Sequence, residues 1–145
     1  PGITTSEQKP LRCTQKPGSG PVEDVVIDDG YVTAKGLNLL NAPGNDMCAV
    51  TNIAAAGCHL VLFTTGRGTP FGGFVPTLKI ATNSELAAKK SNWIDFNAGA
   101  VLESDFDVQL ENLINLVVDT ANGKLAKNEI NQTKEIAIFK TGVTL

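Results

Sequence analysis

The chain has 145 residues, of which 42% are hydrophobic and 19% charged, with a formal net charge of −3 and a pI near 5.1. That length is about one domain's worth of chain, enough to bury a core without disulfides or a structural metal, and the composition excludes a disordered tail. The mildly acidic balance argues against nucleic acid as a partner, since a phosphate backbone calls for a basic patch. No run reaches the roughly 18 apolar residues that a membrane span needs.

The first twenty residues hold Pro1, Gly2, Pro10, Pro17, Gly18 and Gly20 among polar neighbours. They read as a linker or irregular segment cut from a longer chain, followed by an α/β domain over 21–145. Residues Pro1, Gly2, Ile3 and Thr4 offer neither the charged start nor the apolar run of a secretory signal, so a cytoplasmic protein is expected. Cys13, Cys48 and Cys58 are odd in number and widely spaced, which gives neither a disulfide framework nor a paired metal motif; free thiols are expected.

From position 20 onward, short apolar runs alternate with turn residues and helical patterns, the rhythm of an α/β layer fold. The β-branched run at 22–27 predicts a strand, and 37–41 a second one that stops at Ala42, Pro43 and Gly44. The Ala-rich stretch 47–56 predicts a short, largely buried helix ended by Gly57. The continuous apolar run 59–64 predicts a strand buried on both faces. The strands at 37–41 and 59–64 with the helix between them then form a βαβ unit with parallel neighbours, whose crossover is right-handed in nearly all proteins. A strand at 76–81, a helix from Ser84 to Lys90 and a short strand at 93–96 follow.

The strongest helical pattern covers 105–122, where Phe106, Leu110, Leu113, Ile114, Val117 and Ala121 recur at three- and four-residue spacing. Ser104 with Asp107 resembles a capping box, Gly123 supplies the stop, and the stripe is expected to pack on the sheet or a neighbouring helix. The alternation at 134–140 predicts a half-exposed edge strand. The fold class is therefore a Rossmann-like, mostly parallel sheet with flanking helices.

In an open parallel sheet, ligands bind beyond the carboxyl ends of the strands, and four polar loops occupy such places. The loop Thr64, Thr65, Gly66, Arg67, Gly68, Thr69 is the strongest, because it sets an Arg between glycines and among hydroxyls directly after a buried strand. Glycines admit close approach of a ligand to the backbone, and a guanidinium fork matches a carboxylate. The bland alternative is a tight turn with Arg67 in a structural ion pair. Asn45 and Asp46 suit hydroxyls or a hard cation, yet the same residues after Pro-Gly commonly cap a helix; Asp95 and Asn97 carry the same two readings, and Asn83 lies in the loop after the strand at 76–81. His59 is the only histidine, which rules out a His-rich metal site, and at a strand start it reads as structural.

The runs APGND, VLFTTGRGTPFG, PTLKIATNS, NWIDFNAG and EIAIFKTGVTL, with GITTSEQKPL at the start, resemble the C-terminal region of the altronate and galactarate dehydratase family. TTGRGTPFG together with WIDFNAG favours the altronate branch; Gln8, Pro10 and Arg12 depart from the family's usual Glu, Ser and Gly. The resemblance implies a hydro-lyase that converts D-altronate to 2-dehydro-3-deoxy-D-gluconate and water, dependent on Fe2+ or another divalent metal. It further implies upstream domains of the same enzyme that carry the base and most metal ligands, so that these residues alone are expected to be inactive. Substrate-binding residues are expected among Asn45, Asp46, Thr64, Thr65, Gly66, Arg67, Gly68, Thr69, Asn83 and Asn97. A galactarate or sulfolactate lyase, a non-catalytic ligand-binding or assembly module, and a homo-oligomeric state stay open as alternatives.

Overall fold

A computed structural model describes residues 15–27 and 30–138. Cys13, the segment GITTSEQKPL and the end of EIAIFKTGVTL lie outside them. The chain divides into two compact units, Pro1–Asn41 and Ala42–Leu145.

In the first unit, β1 (Val22–Val26) and β2 (Leu37–Leu40) form a two-stranded parallel ribbon, with Val22 opposite Leu37 and Val26 opposite Leu40. Val26 is its buried residue, and its carbonyl accepts from Asn41 N at 2.9 Å.

The second unit opens with α1 (Asp46–Ala55), capped by Asn45, whose Oδ1 accepts from Met47 N and Cys48 N. Burial is confined to its later turns, at Val50, Thr51 and Asn52, so the helix is less buried than its alanines suggest. Three parallel strands follow in the order β3 (Val61–Thr65), β4 (Thr77–Ala81), β5 (Phe96–Asn97). The central strand β4 is buried along its whole length. The crossover from β4 to β5 carries α2 (Ser84–Lys89), whereas the crossover from β3 to β4 is a helix-free loop over 66–76.

The core forms where these pieces meet. Val50 of α1, Val61 of β3 and Phe71 of the crossover loop pack together with Ile53, Phe63 and Val75, and the rings of Phe63 and Phe71 lie 6.3 Å apart at 58°. Beneath α2, Ala81, Leu86 and Ile94 form a second cluster. The last described segment ties back to this unit through Glu135 N to Gly72 O at 2.8 Å and Ala137 N to Thr51 Oγ1 at 3.0 Å.

Several expectations need correction. Within the first unit the hydrogen-bonded neighbour of β2 is β1, and within the second that of β3 is β4, where 37–41 and 59–64 were expected to be each other's neighbours. Apolar periodicity marks strands without naming their partners, and an eleven-residue loop suffices to return the chain parallel to itself. The strand expected at 134–140 is, among the described residues, a single bridge between Gly73 and Glu135. Trp93 lies in a turn after α2, where the Lys90 ammonium sits 4.5 Å from its ring centre, and the strand starts only at Phe96.

Strand β5 is followed by a 3-10 turn over Ala98–Leu102 and then by the long helix α3 (Phe106–Ala121). Its cap is Asp105, which accepts from Asp107 N and Val108 N, while Ser104 donates to Ala100 O instead. Its apolar stripe is not buried: Leu113 and Val117 are half-buried, Phe106, Leu110 and Ile114 are exposed, and the buried residue is Thr120. The contact side is rotated away from the hydrophobic stripe. A final short helix, α4 (Lys127–Ile130), closes against β4.

Candidate functional site

The loops that leave β3, β4 and β5 meet at the carboxyl ends of the strands and are hydrogen-bonded to one another. Thr82 N donates to Thr65 O at 3.0 Å, and Asn83 Nδ2 donates to Gly66 O at 3.1 Å, which joins the loop after β4 to the loop after β3. Asn97 Nδ2 donates to Ser84 Oγ at 3.0 Å, which joins the loop after β5 to the start of α2. Gly99 closes the same junction. A Cβ there would stand 2.5 Å from Ser84 N and 2.6 Å from Asn83 Cα, so only glycine lets these two backbones approach.

Within this rim the expected residues divide into braces and free groups. Asn83 Oδ1 accepts from Leu86 N at 2.8 Å, and Asn97 Oδ1 accepts from Gly99 N at 3.0 Å, so each amide is engaged at both ends. Thr65 Oγ1 accepts from Gly68 N at 2.9 Å, and Thr69 Oγ1 accepts from Phe71 N at 3.3 Å, which fixes both ends of the Gly66, Arg67, Gly68 turn. Gly68 has φ 82°, a left-handed conformation that a side chain disfavours. Arg67, held at the top of this turn, is exposed and has neither a hydrogen bond nor an ion pair among the described residues. Thr64, in β3, is exposed as well. Asn45 and Asp46 begin α1, with the Asn45 side chain committed to the cap. His59 is exposed ahead of β3, and Cys48 and Cys58 are free thiols.

The rim stands on a buried polar layer that sequence reasoning missed. The N–H groups of Thr77 and Lys79 point away from β3, and β5 is too short to meet them. Side chains take its place. Asn128 Oδ1 accepts from Thr77 N at 3.0 Å, and Asp95 Oδ2 accepts from Lys79 N at 2.8 Å. The other Asp95 oxygen accepts from Lys127 N at 2.8 Å, and the Lys127 ammonium donates to the carbonyls of Ser91 and Ile94. Lys79 is only 1% exposed, and its Nζ donates to Pro70 O at 3.1 Å, pinning the loop that carries Arg67. Burial pushes its pKa below the ordinary 10.5, while the carboxylates of Asp95 and Glu135 pull it back up. The visible signal was a lysine set between Leu78 and Ile80 in an otherwise apolar strand.

Among the described residues, no three of His, Cys, Asp and Glu come together as a metal site. These residues therefore do not by themselves fit the divalent metal that the resemblance implies. No described helix is long and apolar enough to cross a membrane.

Comparison with known proteins gives the context of this rim. The family model for D-galactarate/altronate dehydratase, C-terminal, matches residues 1–144. The chain is 59% identical over 145 residues to altronate dehydratase of Escherichia coli K12 and 55% identical over 146 residues to that of Bacillus subtilis 168. Each match covers 99% of this chain and 29% of the relative. It is 32% identical over 126 residues to galactarate dehydratase (L-threo-forming) of Escherichia coli K12, covering 85% of this chain and 24% of that protein. The chain thus spans less than a third of the length of these relatives, and it belongs to the C-terminal family of the D-galactarate/altronate dehydratases.

Proposed function

We propose that this chain supplies part of the substrate site of a hydro-lyase acting on altronate, with the loop after β3 receiving the sugar-acid carboxylate. The observation that carries the reading is the exposed Arg67 on a turn fixed at both ends and braced by the neighbouring loops. A guanidinium carried on such a fixed turn can present parallel N–H donors to a planar carboxylate without first having to order its own loop. The identities of 59% and 55% to altronate dehydratases, against 32% to a galactarate dehydratase, support altronate as the substrate.

Dehydration to a 2-keto-3-deoxy acid removes the proton next to the carboxylate and expels the neighbouring hydroxyl as water. It needs a base, a cation to stabilise the enediolate and an acid for the leaving group. In this reading the base and the divalent metal, Fe2+ or a similar ion, come from the upstream part of the enzyme, and the present residues bind and orient the acid. The test is keto-acid release by the full-length protein from a panel of altronate, galactarate and sulfolactate. Altronate is expected to be turned over with the highest kcat/KM; preference for either of the others would refute the substrate assignment.

A further inference from the structure

Helix α3 carries an apolar row at strict four-residue spacing: Phe106, Leu110, Ile114 and Val118, which are 63%, 43%, 52% and 50% exposed. Residues so spaced form one continuous ridge, the kind that seats in the groove of another helix. Four large apolar side chains in line on a surface mark a contact surface rather than scattered exposure. The adjoining row, one residue on at each step, is Asp107, Glu111, Asn115 and Asp119, and the helix has no Lys or Arg. The ridge therefore runs beside an acidic margin.

We infer that this ridge seats an apolar helix with a basic flank that belongs to the upstream part of the same full-length polypeptide. Two observations select that occupant. The chain covers only 29% of each altronate dehydratase it matches, so most of such an enzyme lies outside it and is tethered close by. A second copy in a symmetric antiparallel pair would bring both acidic rows to the same side of the contact, where like charges repel. A basic flank, by contrast, complements Asp107 and Glu111. The inference rests on family membership and is independent of the role given to Arg67.

The test uses the full-length enzyme. Ile114→Cys, on the ridge, and Asn115→Cys, on the acidic row, are labelled with iodoacetamide under native conditions, and each site is followed by peptide mass spectrometry. Cys at 114 is expected to react at least about a hundredfold more slowly than Cys at 115, at every protein concentration. Equal rates would overturn the inference, and protection at 114 that disappears on dilution would assign the ridge to a second copy instead. Carbodiimide cross-linking of the unsubstituted enzyme, mixed from heavy- and light-isotope preparations, supplies the second readout. Links from Asp107 or Glu111 to an upstream lysine of the same isotope label are expected. Links between labels, or only to lysines within these 145 residues, would contradict the proposal.

Discussion

Lys79 is a cation buried in the middle of β4, and its consequences are electrostatic before they are catalytic. Burial disfavours the ammonium, so the folded chain releases this proton at a lower pH than the unfolded chain does. Between the lowered folded value and 10.5, the unfolded state binds more protons, and stability contributed by this group rises with pH across that window. Urea unfolding between pH 7 and 10.5 is expected to show that rise, and Lys79→Met is expected to remove it; parallel curves for the two proteins would contradict the assignment. Asn128, fully buried, presents a different case, because its amide meets Thr77 N, Gly73 O and Thr133 O at once. Asn128→Ala leaves the buried Thr77 N and Gly73 O and the half-buried Thr133 O without this partner and should cost about 3 kcal/mol. A loss below about 1 kcal/mol, measured from the urea midpoint, would mean that water replaces the amide.

At the scale of elements, the rim depends on three loops being held at fixed spacing, and Gly99 sets the closest approach between them. Gly99→Ala must push the β5 loop away from Asn83 and Ser84, so in the full-length enzyme it should raise KM for altronate several-fold while the fold persists. Unchanged KM would detach this junction from substrate binding. Much of this arrangement was legible in the sequence: the strands expected at 59–64 and 76–81 are found at 61–65 and 77–81, the cap at Asn45 and the helix opening at Ser84 are in place, and polar loops lie between them. Pairing was not legible, since apolar runs named neither β1 as the partner of β2 nor β4 as that of β3. The side of α3 that meets the fold was hidden too. Its stripe was read correctly as amphipathic, but periodicity cannot tell a face buried within a domain from one left open. Nor could residues near 95 and 128 announce that their side chains complete the edge of β4, because that role depends on β5 being only two residues long.

At the scale of the whole molecule, the chain carries a braced loop rim, proposed above to receive substrate, and lacks among its described residues a cluster able to hold a metal. The 145 residues alone are therefore expected to release no keto acid from altronate, with or without added Fe2+, and turnover near that of the full-length enzyme would refute this division of labour. The central claim is that Arg67 receives the sugar-acid carboxylate, and steady-state kinetics of Arg67→Lys and Arg67→Ala in the full-length enzyme test it most directly. Lysine keeps the charge but loses the fork, and alanine loses both. Both variants should stay folded, since Arg67 is exposed and pairs with none of the described residues. The expected result is a fall in kcat/KM for altronate in both, larger for Ala and on the order of a hundredfold, about 3 kcal/mol of transition-state binding. Wild-type kinetics in Arg67→Ala, or a loss that tracks unfolding, would make Arg67 a turn residue and place the carboxylate elsewhere.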